Sequence, residues 1–370
     1  DCLNYESQII RSGLWDQIFA KLKDLNLVEF ENEGKNKGCW VIRGDGNEED
    51  KVIVRSNGTA TYIAKDIPYA AWKLGLLEDP FYYTKYEKIQ PGNRTLWKTI
   101  LQKNDESKKK FSGQKVITVI DSRQARLQKI ISTLMGKFKS DSDAYNHLGY
   151  ESVTLSSDTA KSLGIETQGK QAQMSGRKGL YVNADSVYDL LKNKVVEETQ
   201  KRNPDMDSAK IGVIAHKVAV GTLRYEMIKQ DLDKIITFDL AKSLSLEGDT
   251  APYIQYAYAR ASRILEKAGY SPSFDANFEL ITDEYEKNLV KTLGLFPLRV
   301  TDAANNLSPK VIARFSHDLA VAFNSFYEHN KVLDIGDSSL ENLRLCLVYS
   351  FKLTIEKALG LIGIETPEKM

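Results

Sequence analysis

Residues 171–180, QAQMSGRKGL, set Arg177 and Lys178 between Gly176 and Gly179. Two fixed cations beside glycines whose N–H groups are free to turn toward a ligand can hold phosphate, and can stabilise charge building on its oxygens as pyrophosphate leaves an α-phosphate. An exposed turn has the same composition, so context decides between the two. Here the strand pattern YESVTL precedes the loop and a helical pattern follows, which places the pair at the rim of an α/β sheet, where such folds bind ligands. Metal chemistry has little to work with. The four histidines stand in NHLG, AHKV, SHDL and EHNK with no helical ligand spacing, and Cys2, Cys39 and Cys346 are too far apart for paired zinc ligands or a disulfide framework. His147 in NHLG reads as structural, and no metal site is expected.

Other residues acquire chemistry from the elements that carry them. KVIVRSNGTATYIA predicts two strands around Asn57-Gly58, with Tyr62 late in the second. Asp66-Ile67-Pro68 then reads as a helix start, Asp66 as N-cap and Pro68 in the first turn. VITVID, residues 116–121, is a β-branched run followed by the helical RQARLQKIISTLMGKF, the pattern of a buried parallel strand feeding a helix, with YESVTL (150–155) as the second strand. Too few strands are visible to complete a doubly wound sheet. From about Asp185 helical periodicity dominates, and APYIQYAYAR presents Tyr253, Tyr256 and Arg260, rings that can stack on unstacked bases and a cation for phosphate or base edges. Tyr253, Tyr256 and Tyr258 cannot share one helix face, so some must pack inside.

The 370 residues predict two or three units, and 42% hydrophobic with 27% charged residues is a globular composition. No run approaches the roughly 20 apolar residues of a membrane helix. The opening DCLNYESQII is not of signal-peptide type, and the sparse cysteines fit a reducing cytoplasm. A net charge of +1 gives no global pull toward nucleic acid, so any such contact must be local.

Set between SNGTATYIAKDIPYAAWKLG and VGTLRYEMIKQDLDKIITFDLAKSLSLEGDTAPYIQYAYARASRIL, the loop QMSGRKG resembles the signature loop of arginyl-tRNA synthetases, class I enzymes. The resemblance runs from NYES through VIDSRQ and FNSFYE to LGLIGIETPEKM. It implies an α/β part followed by an all-α part. Residues 1–195 would be the second half of a class I Rossmann-like catalytic domain, 196–250 a helical connecting and stem-contact region, and 251–370 a DALR-type anticodon-binding bundle. For arginine it implies Glu6, Tyr62, Asp66 and Gln124; for ATP, with Mg²⁺ on its phosphates, Met174, Ser175 and Lys178, with Lys178 and Arg177 as the catalytic cations; for tRNA(Arg), Tyr253, Arg260, Tyr327 and Met370. Carboxylates accepting in the plane of a guanidinium separate it from the point charge of lysine.

Plain structural readings stand beside these: Glu6 as a first-turn acid, Asp66 as an N-cap only, Tyr62 as a core-facing strand aromatic, Gln124 as surface. The sequence also departs from the family pattern. Gln173 stands where many class I synthetases have Lys, the residues around Gln124 are not the common ones, and TLRY (222–225) echoes the DALR motif loosely. No HIGH-like tetrad and no tRNA-elbow domain precede the signature loop, so a C-terminal portion, inactive alone, is expected. The resemblance further implies a cytoplasmic monomer without membrane contact. A stand-alone tRNA-binding module is the alternative. A cysteinyl-type synthetase is a third reading, and its zinc-ligand cysteines are not seen.

Overall fold

The computed structural model describes the chain except for residues 45, 47, 88–93, 104–110, 166–170, 173–181 and 271–275. It divides into two compact units, Asp1–Tyr150 and Glu151–Met370. The boundaries expected at 195 and 250 both fall inside the second unit.

The first unit begins with β1 (Cys2–Leu3), α1 (Glu6–Arg11) and α2 (Leu14–Asp24). Leu14, Ile18 and Leu22 recur at helical spacing and are fully buried, so α2 gives one stripe to the core. A small antiparallel sheet follows in the order β2 (Glu29–Phe30), β3 (Trp40–Ile42), β4 (Lys51–Val54). The turn at Asn57-Gly58 forms, but only Gly58 has positive φ (79°). Arg55 O accepts from Gly58 N and Arg55 N donates to Thr59 O, the pattern of a three-residue loop with a glycine bulge.

Beyond that turn, the second hairpin strand shrinks to a single bridge between Val54 and Ala60. Helix α3 (Ile63–Lys73) starts one residue after Tyr62, so Tyr62 is not in a strand and Asp66 is not an N-cap. Pro68 is consequently inside the helix, where the lost hydrogen bond costs about 3 kcal/mol. The earlier start inserts Ile63 and Ile67 fully into the core, each worth roughly 1.5–3 kcal/mol, which offsets the proline.

After α3, β5 (Tyr82–Lys85) pairs antiparallel with β6 (Trp97–Ile100), and β6 runs parallel to β1. The expected βαβ unit is present as β7 (Val116–Asp121), a short 3-10 turn (Ser122–Gln124), α4 (Ala125–Lys139) and β8 (Tyr145–Tyr150), but β7 is not the buried strand expected, since Ile117 and Val119 on one of its faces are exposed. The parallel partner of β7 is thus 145–150 rather than 150–155, with Val116 opposite Tyr145. His147 lies within β8, its Nε2 3.0 Å from Ile120 O, a structural role.

In the second unit, β9 (Val153–Ser156) and α5 (Ser157–Ser162) precede β10 (Gln171–Ala172). YESVTL therefore supplies a strand of a different sheet, in which β9 pairs antiparallel with β10 and parallel with β11 (Ile236–Phe238). Helices α6 (Ala184–Arg202) and α7 (Ser208–Ile228) precede β11, and α8 (Leu240–Ser243) follows it. The remainder is helical: α9 (Ala251–Ala268), α10 (Glu284–Gly294), α11 (Phe296–Asn305), α12 (Lys310–His329) and α13 (Ser338–Leu361). Helix α9 has Thr250 as a side-chain N-cap, Pro252 in its first turn and Gly269 in the left-handed region after its end. Its buried face meets α12 and α13, where Phe323 and Phe351 stack with ring centroids 3.9 Å apart. The expected order of a mixed α/β part and an all-α part is the one observed.

Candidate functional site

In the first unit, the opening turns of α1 and α3 are brought together by Ile9, Ile63 and Ile67 in the core. Glu6 is the first residue of α1, and its carboxylate sits where a helix start favours negative charge. Lys65, in the first turn of α3, places Nζ 2.6 Å from Glu6 Oε1 and 3.4 Å from the Tyr62 ring centroid. Tyr62 is 63% exposed, which rules out the core-facing reading. Asp66 follows directly, half-buried, and no hydrogen bond or ion pair engages its carboxylate among the described residues. Glu6, Tyr62 and Asp66 thus share one patch.

The electrostatics of the patch follow from burial and neighbours. Desolvation pushes the Asp66 carboxyl above the ordinary aspartate range; Lys65 and Lys73 pull it down, and the charge of Glu6 adds to the rise. Burial alone would lower Lys65, but its bonds to Glu6 and Tyr62 outweigh it and leave the ammonium above the usual lysine value. Lys73 is lowered by burial and lies 4.0 Å over the Tyr69 ring. Behind the patch, Tyr69 Oη donates to Asn4 Oδ1 (3.2 Å), Thr99 Oγ1 donates to Gln8 Oε1 (2.6 Å), and Gln8 Nε2 donates to Thr99 O (2.9 Å). These bonds tie the segment bearing Glu6 to β6 and α3. Two carboxylates beside an exposed tyrosine face can receive a planar cation in-plane and against the ring.

Gln124 ends the 3-10 turn at the carboxyl end of β7, half-buried. No hydrogen bond, ion pair or ring contact joins it to Glu6, Tyr62 or Asp66 among the described residues. Met174, Ser175, Arg177 and Lys178 lie outside the described residues. Among those that are described, no three His, Cys, Asp or Glu side chains converge as a metal site.

In the second unit a groove of about 1510 Å³ is lined by Arg202, Tyr256, Arg260, Arg263, Tyr327 and Met370, among others. Arg260 and Tyr256 are one turn apart on α9, and Tyr327 comes from α12. The Arg260 guanidinium lies 5.0 Å from the Tyr256 ring and 5.1 Å from the Tyr327 ring, and its Nη1 donates to Asn324 Oδ1 at 2.7 Å. The three groups form a partly exposed π-surface. One wall is fixed by Arg344, which pairs with the buried Glu286 (2.8 Å) and donates to Lys331 O and Asn330 Oδ1. The carboxyl-terminal segment is held by Gln255, whose Nε2 donates to Glu365 O at 2.8 Å.

Of the four residues expected to touch RNA, Arg260, Tyr327 and Met370 line this groove. Tyr253 does not: it packs against the helical core with its ring 5.7 Å from that of His317. Tyr256 lines the groove instead. The i, i+4 spacing of Tyr256 and Arg260 was the available signal, since it puts both on one face. Lys65 carries no signal of its own in the sequence, where it stands before the expected helix start as an ordinary solvated lysine.

Comparison with known proteins gives a consistent picture. Residues 254–370 match the family described as DALR anticodon binding domain. All of this chain aligns with an arginine–tRNA ligase from Thermococcus sibiricus at 34% identity, covering 57% of that protein, and with one from Deinococcus radiodurans at 33% identity, covering 61%. The solved structure of Thermus thermophilus arginyl-tRNA synthetase superposes with a TM-score of 0.85 at 33% identity, over 100% of this chain and 60% of that one. The chain therefore spans about three fifths of the length of these relatives.

Proposed function

We propose that this chain, similar along all its residues to arginine–tRNA ligases, serves as part of such a ligase, which joins arginine to tRNA(Arg) through an arginyl-adenylate. The first unit recognises the amino acid and the second the anticodon arm. What carries the reading is the convergence of Glu6, Tyr62 and the unpaired Asp66 on a chain with these relatives.

Asp66 accepts from the guanidinium in its plane, Glu6 supplies a second acceptor, and the Tyr62 face packs against the cation. An uncharged or wrongly shaped side chain would leave Asp66 partly desolvated and unpaired, which is the source of selectivity. ATP, with Mg²⁺ on its phosphates, belongs to the same reading, and Arg177 and Lys178 are its proposed contacts. In the second unit the Tyr256–Arg260–Tyr327 surface stacks unpaired anticodon bases. A cytoplasmic monomer goes with this role; no helix among the described residues is long and apolar enough to cross a membrane.

A tRNA-binding module without amino-acid recognition is the competing reading, favoured by the DALR match over 254–370. Thermal unfolding separates them. L-arginine raises the midpoint of the chain in the first reading, and Asp66→Ala abolishes that rise. No arginine response with retained tRNA binding sustains the second. In neither is arginine-dependent ATP–pyrophosphate exchange expected from the chain alone, because it holds no HIGH-like tetrad.

A further inference from the structure

The proposed arginine patch already contains a cation of its own. Lys65 Nζ is 2.6 Å from Glu6 Oε1 and 3.4 Å from the Tyr62 centroid, and its side chain is only 14% exposed. Glu6 and the Tyr62 face are also two of the three groups proposed to receive the guanidinium. The ammonium and a guanidinium cannot occupy one seat at once. Asp66, directly after Lys65 in the chain, has no such engagement.

The charges point the same way. Glu6 and Asp66 carry two negative charges, and Lys65 and the more buried Lys73 already balance them, so a guanidinium enters the seat by replacing an internal cation rather than by filling a charge vacancy. The strongest single-carboxylate position, against the tyrosine ring, is taken by Lys65. Arg and Lys also differ in what they extract from this seat. A guanidinium stacks its plane on the ring and bonds in two directions, whereas an ammonium contributes a compact point charge on a flexible stem. A guanidinium thus gains more from this seat than an ammonium does, and the flexible stem of Lys65 gives its head group a route out of it.

We infer that Lys65 is an internal competitor for the guanidinium seat formed by Glu6 and Tyr62, setting arginine affinity by having to be displaced. This rests on the arginine reading of the patch. Arginine first meets Asp66, then takes Glu6 and the Tyr62 face as Lys65 leaves. Lys65 is thus a specificity-determining residue: a ligand must outbid an ammonium for the seat, which a second lysine ammonium does poorly and a guanidinium does well.

The test is calorimetric titration of L-arginine into the 370-residue chain and into Lys65→Met, Lys65→Arg, Glu6→Gln, Asp66→Ala and the Glu6→Gln/Lys65→Met double variant. Lys65→Met keeps the apolar stem and removes the charge, so competition predicts a Kd about 2- to 5-fold lower, the range an exposed ion pair supports. Lys65→Arg, a stronger occupant of the seat, raises the Kd above that of the parent. With Glu6→Gln the competitor loses its anchor, so the gain from Lys65→Met disappears, a coupling that a merely structural lysine would not produce. Unchanged or weaker binding in Lys65→Met, with arginine still bound by the parent and lost in Asp66→Ala, overturns the competitor role and leaves the patch assignment standing. Arginine bound equally by the parent and by Asp66→Ala, or by neither, removes the patch assignment and this inference with it.

Discussion

Asp66 concentrates the functional argument because its carboxylate has been desolvated without a partner. A carboxyl whose folded-state pKa lies above its unfolded value destabilises the folded chain at neutral pH, and that penalty is relieved as pH falls through the raised value. Asp66→Asn should therefore raise the thermal midpoint at pH 7 while weakening arginine by about 2 kcal/mol or more, some 30-fold in Kd, in a paired thermal and calorimetric measurement. Parental binding should also fade on acidification at a pH above the ordinary aspartate value of 3.8, because only the carboxylate accepts from a guanidinium. A stability gain without loss of arginine would separate the strained acid from recognition. Glu6, Tyr62 and Asp66 were legible as residue types in order along the chain. Lys65 was not, since nothing local distinguishes it from a solvated lysine, and only folding sets it between an acid and a ring.

Elements were legible where periodicity was long and obscured where it was short. Apart from the brief α5 and α8, the helices of the second unit run 10 to 24 residues, all but α11 with buried residues, and most of their limits agree with the sequence pattern. α11 has the weakest helical signature of these, because Pro297 and the polar DAAN blur its stripe. β8 was shifted because YNHLGY carries Asn, His and Gly, whereas the next apolar run belongs to another sheet. Register at α3 turned on Pro68, which reads as a first-turn residue unless the core value of Ile63 is known. Helix α7 offers a test of packing against propensity. A methyl at Gly221 would meet Gln255 Nε2 at 2.8 Å and Ile364 Cγ2 at 3.1 Å, and Gln255 is pinned by its bond to Glu365 O. Gly221→Ala should lose about 1–3 kcal/mol in chemical unfolding. Gly212, in the same helix with nothing within 4 Å, should gain roughly 0.5–1 kcal/mol as Gly212→Ala. Equal effects at both sites would show that the close approach of the carboxyl-terminal segment does not control α7.

At the scale of the whole molecule, a net charge of +1 means that the proposed tRNA affinity would not come from bulk electrostatics. Even in the second-unit groove, seven basic residues face five acidic ones, so the proposed tRNA contact relies on stacking as well as charge. Tyr256→Ala is accordingly expected to cost about 1–3 kcal/mol in filter binding of tRNA(Arg) with little change in salt slope, while Arg263→Ala should lower that slope. A salt slope altered by Tyr256→Ala would move the explanation from stacking to charge. The two-part architecture was readable from the switch in periodicity, but the role of each part depends on side chains that only the folded units assemble. For the chain as a whole the most direct measurement is the calorimetric affinity for L-arginine against L-citrulline, its uncharged urea isostere. Recognition by Asp66, Glu6 and Tyr62 predicts measurable arginine binding and citrulline at least about 10-fold weaker, as loss of a charge-assisted pair requires. Equal affinity for the two, or binding of neither, would contradict it.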